Sequence, residues 1–593
     1  MTSTFDFVIL GGGTAGLVVA SRLSENPGHR VLVLEAGSDL SDDPRVKTPA
    51  FYATLMKSDA NWGFKSEPQP TLNGREIGLH QGRALGGSSA INGQAFVPPG
   101  KHTIDAWEKA GNPGWNWQEL ERYYARSHTL PGVTQRTKGE RDGERDFHGP
   151  LQVSLSTNLS HPIHKVWNET FQAKGHYVSA EPWLGQPVGA FSSLATVDPS
   201  RKERSYATTA YYNPIKDRNN LQLLTNAVVE RIIFETQGSA TRAIGAQYTH
   251  NGKTETVTAA KEVILAAGAL QSPKLLELSG VGNAEILRRN NIPLVVELPG
   301  VGENLQDHIV CPISVQAIDG LETMDPLARQ EPEAIGQAMQ EYATHRTGLL
   351  TSPGTATYAY MPTTTELSRD SAGALKELLD QNQPVPSNNG HGGIGADLHD
   401  FVGKVLTDPT MPSGAYLSVL SQAGKSPVPG TWLTLVAYLP HPLSLGSVHI
   451  RSRLASETPV IDPKYFSHPV DIEVLAHEMR YLQSFATSSP FNKLLREPLH
   501  YLDPTTDFSN MEATKDYIRS NAVSMWHYAG TCAMLPKEKG GVVDTRLRVH
   551  GIDNLRIVDS SIIPIVTTGN LQSTVYAIAE KAADLIKRDY REV

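Results

Sequence analysis

Cysteine is scarce in this chain: Cys311 and Cys532 are the two present among 593 residues. They form neither a CxxC nor a CxxxxC motif, so dithiol redox chemistry of the disulfide-reductase kind is not expected. The sequence leaves open a single disulfide between them.

Long apolar runs and an excess of positive charge are missing too. No stretch of about eighteen consecutive apolar residues occurs, so the sequence predicts no membrane span. Lys and Arg together number 53 against 62 for Asp and Glu, which gives a net charge of −9. This mild acidity argues against nucleic acid and against an anionic membrane as partners.

No targeting segment is expected in the sequence as written, because the first strand-like run begins near residue 5 and leaves no room before it for a basic and apolar leader. We therefore expect a cytoplasmic protein as the chain is written, or a secreted one if the chain is a processed form. The length, with 39% hydrophobic residues, is enough for more than one domain.

Residues 5–37, FDFVILGGGTAGLVVASRLSENPGHRVLVLEAG, combine a strand, a glycine loop, a helix and a second strand. Such a loop lets a pyrophosphate approach the backbone at the N-terminus of the helix. The second strand ends at Glu35, where an acid can accept hydrogen bonds from a ribose hydroxyl. The pattern predicts a dinucleotide-binding unit but does not choose between FAD and NAD. The glycines that fit G-x-G-x-x-G are Gly11, Gly13 and Gly16.

Three further blocks stand out along the chain. A second glycine cluster is GRALGGSSAING (82–93). A strand, a turn of small residues and a helix are predicted for KEVILAAGALQSPKLLELSGVG (261–282). Near the C-terminus, NLRIVDSSIIP (554–564) predicts a strand and is followed by a long amphipathic helix. Dinucleotide-type signals thus occur at both ends and in the middle, so the segments between them must build a second domain.

In this order the blocks resemble those of the glucose-methanol-choline (GMC) oxidoreductases, over nearly the whole chain and nearest to the glucose oxidase, glucose dehydrogenase and aryl-alcohol oxidase branch. The resemblance implies an α/β fold (α+β overall): a Rossmann-like FAD-binding domain with a discontinuous substrate-binding domain built on an antiparallel sheet plus helices. We expect the FAD-binding domain at 1–155, 215–310 and 520–593. The substrate-binding domain is expected at 156–214 and 311–519.

The resemblance also implies that the nucleotide is FAD. Its pyrophosphate would meet the glycine loop, including Thr14 and Ala15, and its ribose would meet Glu35. Some members attach FAD through a histidine at the position that Ile91 occupies here, so we expect noncovalent FAD. The remaining cofactor positions that the resemblance implies, along the flavin, the adenine and the pyrophosphate, are Arg83, Leu85, Ser88, Asn92, Gly93, Gln94, Ala95, Val229, Trp526, Asp559, Ser560 and Gln572.

Oxidation of an alcohol removes a hydroxyl proton and a hydride, so the protein must supply a base, for which histidine is suited near neutral pH. His527, in SMWHYAGTCAM, matches the segment that carries the family's catalytic histidine. Asn570 matches a second position that the family fills with histidine or asparagine. The resemblance implies that His527 takes the proton and Asn570 orients the substrate oxygen.

Most of the other histidines are expected to have no catalytic role. His308, in VGENLQDH, is expected to have a structural role, and His399 and His449 carry no local signal. His161 and His164 lack further ligands, so no metal site is predicted.

The predicted partners are a small-molecule alcohol, aryl or sugar-like and primary, and O2 or another electron acceptor. The chain is expected to be a monomer or a homodimer. The sequence departs from the family pattern at Leu445, where many relatives carry arginine. This difference weakens the resemblance to any particular member of the family. Alternatives that stay open are an intracellular enzyme tailoring a specialised metabolite and a non-redox lyase or cyclase that keeps FAD.

Overall fold

The computed structural model describes residues 3–130, 147–179, 182–238, 240–384, 393–424 and 427–590. Within these ranges the chain forms a mixed α/β fold around two large sheets. The α-helices span Thr14–Leu23, Pro44–Lys47, Tyr52–Leu55, Ser88–Ile91, Lys101–Lys109, Trp117–Ser127, Pro162–Ala173, Ser272–Leu278, Ala284–Arg289, Asp325–Ala328, Pro332–His345, Arg369–Gln381, Gly395–Val405, Pro469–Ala486, Met511–Asn521 and Gln572–Asp589.

The first sheet, here called the mixed sheet, is parallel at its centre and ends in an antiparallel meander. Its strands lie in the order Leu221–Leu224, Val31–Leu34, Ser3–Leu10, Lys253–Leu265, Ala240–His250 and Ala227–Gln237, and Leu555–Ile557 pairs in parallel with Lys253–Leu265. The central strands are covered on both faces, which explains their nearly unbroken β-branched and aliphatic sequence. These strands come from the beginning, the middle and the end of the chain, as the block pattern predicts.

The second sheet, here called the antiparallel sheet, is built from the segments between those blocks. Its strands lie in the order Val523–Ser524, Ile309–Gln316, Trp432–Tyr438, Gly414–Val419, Thr355–Met361 and Gly189–Ser192. Short strands pair elsewhere: Phe64–Lys65 with Gly78–Leu79, His128–Thr129 with Leu151–Gln152, Val281–Gly282 with Val296–Glu297, and Ser447–His449 with Val460–Asp462. Leu194–Ala195 lies between Ala95–Phe96 and Ser154–Leu155 and pairs with both.

The first helix and the last helix pack against each other and join the two ends of the chain. Arg22 of Thr14–Leu23 forms a two-pronged ion pair with Glu580 of Gln572–Asp589, with nitrogen–oxygen distances of 2.8 and 2.7 Å. Glu580 is fully buried, so the paired guanidinium satisfies a carboxylate that would otherwise be costly to bury.

Both cysteines are buried and free, so the disulfide that the sequence left open does not form. Across the described ranges, every helix is too short or too polar to span a lipid bilayer. The same ranges contain no group of three or more His, Cys, Asp or Glu side chains arranged to hold a metal ion.

Candidate active site

A cavity of about 380 Å³ lies where the mixed sheet meets the antiparallel sheet. The carboxyl ends of the parallel strands open into it at Leu10, Leu34 and Ala266. This is the edge at which open α/β sheets bind their ligands. The predicted site residues that line the cavity are Gly11, Gly13, Thr14, Ala15, Glu35, Ser88, Asn92, Gly93, Gln94, Ala95, Val229, Trp526, His527, Asp559, Ser560, Asn570 and Gln572.

Three predicted cofactor residues lie behind the cavity wall. Gly16 is buried in the first helix, and Leu85 is buried beside the glycine loop. The guanidinium of Arg83 stacks over the ring of Trp62, 4.9 Å from its centroid. Direct contact of Gly16, Arg83 and Leu85 with a cofactor therefore stays a prediction.

The glycine loop is shaped by close backbone packing. Gly11 has a φ of +115°, and a β-carbon there would lie 2.4 Å from the carbonyl oxygen of Ala266. A β-carbon at Gly16 would lie 2.0 Å from the carbonyl oxygen of Gly11. At Gly13 the nearest atom is 3.6 Å away, so its missing side chain leaves free space on the cavity side. The helix Thr14–Leu23 starts here without a side-chain cap, which leaves N–H groups for an anion.

Two buried carboxylates are held in the wall by backbone donors. Glu35 accepts hydrogen bonds from the N–H groups of Gly12 (2.8 Å) and Gly37 (2.7 Å), while burial raises its pKa to about 7. Asp559 accepts from the N–H of Gly268 (2.9 Å) and from the hydroxyl of Ser272 (2.6 Å), and burial raises its pKa as well. Each carboxylate keeps lone pairs for hydroxyl groups of a ligand.

The end of the second glycine cluster is fixed by a buried arginine, Arg204, that the sequence did not indicate. Asn92 accepts hydrogen bonds from the N–H of Gln94 (3.1 Å) and from Nη1 of Arg204 (2.7 Å), and it donates to Gln572. Arg204 forms no ion pair with a described residue, and burial lowers its pKa to about 9. An arginine in a polar segment normally indicates a solvated position, so no sequence signal marked it.

The residues present fit a dinucleotide such as FAD. The free space at Gly13 and the uncapped helix N-terminus suit a pyrophosphate. Oε1 of Gln94 and Oε1 of Gln81 are buried and have no hydrogen-bond partner among the described residues. Both glutamines line the cavity, where a ligand can supply the missing donors.

His527 is held in the cavity wall from two sides. Ile309 of the strand Ile309–Gln316 pairs with Ser524 of the strand Val523–Ser524. This pairing places residues 307–308, which precede the first of these strands, beside residues 525–527, which follow the second. The backbone N–H of His527 donates to Asp307 (2.7 Å), and Nδ1 of its ring lies 2.8 Å from Nδ1 of His308. Burial, and after it the neighbouring His308, lower the pKa of His527 well below its usual value.

Asp307 anchors this arrangement from behind. It is buried and also accepts hydrogen bonds from the hydroxyls of Tyr465 and Ser524, each at 2.5 Å. Burial raises its pKa to about 6. Asp307 carries no sequence signal of its own, although it lies beside His308 in VGENLQDH (301–308).

Asn570 lies in the same wall and is oriented by a tyrosine of the antiparallel sheet. The hydroxyl of Tyr358 lies 3.2 Å from Oδ1 of Asn570 and donates to it. Nδ2 of Asn570 has no hydrogen-bond partner among the described residues. His527 and Asn570 therefore line the same cavity, and Tyr358 is a neighbour of Asn570 that the sequence did not indicate.

Trp526 lies at the exposed side of the cavity. Its φ is +62° and the residue is 39% exposed. Its ring is 4.9 Å from that of His80, and its Nε1 donates to the carbonyl of Gly78 (3.1 Å). The structure thus places Trp526 in the lining of the cavity.

The chain is similar over nearly its whole length to known oxidoreductases. Family models of the GMC oxidoreductases match residues 5–310 (N-terminal model) and 442–579 (C-terminal model). Dehydrogenase citC of Monascus ruber is 35% identical over 611 residues, covering 99% of this chain and 96% of that protein. A solved structure of formate oxidase has a TM-score of 0.86 at 26% identity, covering 100% of this chain and 99% of that one. A fungal aryl-alcohol oxidase has a TM-score of 0.84 at 27% identity, with both chains fully covered. The chain belongs to the GMC oxidoreductase family and is a flavoprotein enzyme.

Proposed function

We propose that this enzyme oxidises an uncharged primary alcohol to the aldehyde, with His527 as the general base and noncovalently bound FAD. The observation that carries the proposal is the presence of the His527 imidazole and the Asn570 amide in one cavity wall. The same cavity is lined by the glycine loop, Glu35 and Asp559, which would hold the nucleotide.

The cofactor, when bound, supplies the hydride acceptor, which no side chain can replace. Because its pKa is depressed, His527 is neutral near pH 7 and can take the hydroxyl proton of the alcohol. Asn570 donates from Nδ2 to the substrate oxygen, since Tyr358 already occupies its Oδ1. Loss of this proton to His527 and of a hydride from the same carbinol group leaves the aldehyde.

The walls near the catalytic pair favour an uncharged, largely apolar substrate. Thr355, Tyr358, Leu417 and Met525 line the cavity from the antiparallel sheet and its edge. The charged lining residues, Glu35, Lys274 and Asp559, form no hydrogen bond to His527, Asn570 or Tyr358 among the described contacts. A sugar would need several convergent polar partners, so this lining favours an aryl alcohol over a sugar-like one.

Ile91 supports noncovalent attachment of FAD. It ends the short helix Ser88–Ile91 and lines the cavity with an aliphatic side chain, which offers no nucleophile. Reoxidation by O2 or by another acceptor, a monomeric or homodimeric state and the domain boundaries given above are part of the same proposal.

The proposal is tested by mixing the flavin-loaded enzyme anaerobically with benzyl, anisyl, furfuryl and short aliphatic alcohols and with glucose, while flavin absorbance is followed. We expect an aryl alcohol to bleach the flavin. His527→Asn should slow bleaching about 10³-fold and Asn570→Ala about 10²-fold, the range of general base and oriented donor contributions. His345→Asn, on an exposed helix end, is the matched control and should react as the parent does.

Admission of air then separates the electron acceptors. Rapid recolouring indicates an oxidase, and slow recolouring indicates a dehydrogenase that uses another acceptor. A loaded enzyme that bleaches with none of these alcohols, yet converts a substrate without any acceptor, would be a non-redox lyase or cyclase and would refute the proposal.

A further inference from the structure

The ring of His308 lies between a backbone carbonyl, which can only accept a hydrogen bond, and the ring of His527, which can donate or accept one. Its Nε2 lies 2.9 Å from the carbonyl oxygen of Pro440, and its Nδ1 lies 2.8 Å from Nδ1 of His527. A carbonyl oxygen can only accept a hydrogen bond, so the hydrogen of this contact belongs to Nε2 of His308. Burial lowers the pKa of His308 to about 4, so the ring is neutral near pH 7 and carries that single hydrogen.

The contact with His527 then has one consistent arrangement. Nδ1 of a neutral His308 with its hydrogen on Nε2 is an acceptor, so Nδ1 of His527 must be the donor. A neutral His527 with its hydrogen on Nδ1 keeps its lone pair on Nε2. That atom has no hydrogen-bond partner among the described residues, and the residue lines the cavity. We propose that His308 is a positioning residue, which fixes the tautomer of His527 so that Nε2 faces the alcohol as the base.

No other described group competes for Nδ1 of His527. Asp307, on the same segment as His308, bonds the backbone N–H of His527 rather than its ring. From the antiparallel sheet, Tyr438 packs on the His308 ring but donates to the carbonyl of Thr568 (3.2 Å). His441 is 3.1 Å from the carbonyl of Val566 through Nδ1, and burial lowers its pKa to about 3, so it adds no charge.

The same contact acts again after the proton has moved. Once Nε2 has taken the alcohol proton, the hydrogen bond from Nδ1 of His527 to His308 becomes charge-assisted and stronger. His308 therefore favours the protonated base as well as the correct tautomer. The inference rests on the proposed function of His527.

Variants of His308 separate positioning from packing. In His308→Gln the carboxamide can donate to Pro440 and accept from Nδ1 of His527, whereas the side chain in His308→Leu can do neither. We expect His308→Leu to lower the limiting rate constant of flavin bleaching about 100-fold, with the alcohol Kd changed less than about threefold. In the other tautomer of His527 the hydrogen is on Nε2, so this atom has no lone pair to accept the alcohol proton. His308→Gln should retain the rate within about tenfold. His441→Gln, a buried neighbour without contact to His527, should change the rate less than about threefold.

The pH profile distinguishes the two roles further. A tautomer effect should lower the rate of His308→Leu over the whole range from pH 6 to 9, with flavin content and melting temperature close to those of His308→Gln. If His308→Leu is no slower than His308→Gln when both carry flavin, the positioning role is refuted. If His308→Leu does not fold, the positioning role is tested instead by the tautomer of His527 in the parent enzyme.

That tautomer is measurable without turnover, from long-range proton–nitrogen NMR spectra of the flavin-loaded protein labelled with ¹⁵N in its histidine rings. The signals of His527 are assigned by their loss in His527→Asn. We expect the Nδ1–H tautomer for His527 and the Nε2–H tautomer for His308. The Nε2–H tautomer for His527 would overturn the inference even if alcohols are oxidised. An Nδ1–H tautomer in a protein that oxidises no alcohol would instead refute the proposed function and leave the geometry of His308 standing.

Discussion

The hydroxyl of Tyr358 donates a 3.2 Å hydrogen bond to Oδ1 of Asn570 in the lining of the cavity between the two sheets. The bond decides which end of the Asn570 amide is available to a substrate. In Tyr358→Phe the amide is free to turn its oxygen toward the alcohol, where it would repel the substrate oxygen. We expect kcat to fall about fivefold, which corresponds to one neutral hydrogen bond of about 1 kcal/mol.

Tyr360→Phe is the matched control for this prediction. Tyr360 lies two residues along the same strand and is equally buried, but it makes no hydrogen bond to Asn570. Rapid mixing of each loaded variant with an aryl alcohol measures the effect. Equal rates for the two variants would show that the orientation of Asn570 does not depend on Tyr358.

Gly13 and Gly16 are predicted to respond differently to alanine. A β-carbon at Gly16 meets the carbonyl oxygen of Gly11 at 2.0 Å, so Gly16→Ala should destabilise the loop even without FAD. At Gly13 the nearest atom is 3.6 Å away and φ is −85°, so alanine is tolerated by the protein itself. Its methyl group would occupy the space of the pyrophosphate, and we expect FAD binding to weaken at least about tenfold.

Melting temperatures of the flavin-free proteins and FAD titrations followed by flavin fluorescence measure the two effects. In the flavin-free form, the Gly13→Ala protein should have the melting temperature of the parent. Addition of FAD should raise its melting temperature less than it raises that of the parent. A Gly13→Ala protein that binds FAD as tightly as the parent would place the pyrophosphate elsewhere.

Noncovalent attachment predicts that acid precipitation releases all of the flavin. Ile91 has no nucleophilic atom, so the flavin absorbance should remain in the supernatant and the pellet should be colourless. Introduction of a nucleophile by Ile91→His provides the comparison, since that variant can retain flavin in the pellet. Yellow colour in the pellet of the parent protein would contradict the prediction.

Local patterns predicted the nucleotide side of the site because its parts lie close together in sequence. The glycine loop, the helix that follows it and Glu35 fall within one strand–helix–strand unit, where spacing alone carries the information. The interleaved segments were also predicted, because dinucleotide-type blocks recur along the chain, and the mixed α/β class was implied by the resemblance to the GMC oxidoreductases. A motif does not indicate which side chains face the ligand, and Arg83 and Leu85 lie behind the cavity wall.

The alcohol side could not be predicted in the same way. His308 and His527 are separated by 219 residues, and Tyr358 and Asn570 by 212, so only the folded sheets bring them together. Arg204 contradicts the usual preference of arginine for solvent: inside the protein its Nε donates to the carbonyl of Val46, and its Nη1 donates to the carbonyls of Ser89 and Asn92. Pair contacts over such separations leave no periodic signal in one sequence.

His449, which carries no signal in the sequence, is predicted to stabilise the fold in a pH-dependent way. Its Nδ1 lies 2.8 Å from Glu277 of the helix Ser272–Leu278, and its Nε2 lies 3.1 Å from Glu303. Burial alone would lower the pKa of His449, but hydrogen bonds and charge from the two glutamates outweigh it and raise the pKa to about 9. The protonated histidine therefore ties the strand Ser447–His449 to the mixed-sheet side of the molecule.

The direction of the pH effect follows from the raised pKa. Between the ordinary histidine pKa of about 6.5 and the folded value of about 9, the folded protein binds more protons than the unfolded chain, so this stabilisation falls as pH rises. We expect His449→Gln to lower the free energy of unfolding by about 1–3 kcal/mol at pH 6. The difference from the parent should shrink through pH 9 and be largely lost above it. Melting temperatures at pH 6, 7.5 and 9.5, recorded at one scan rate, measure this trend, with His345→Gln on an exposed helix end as the control. A difference that stays constant over this pH range would mean that His449 contributes by packing and not by its charge.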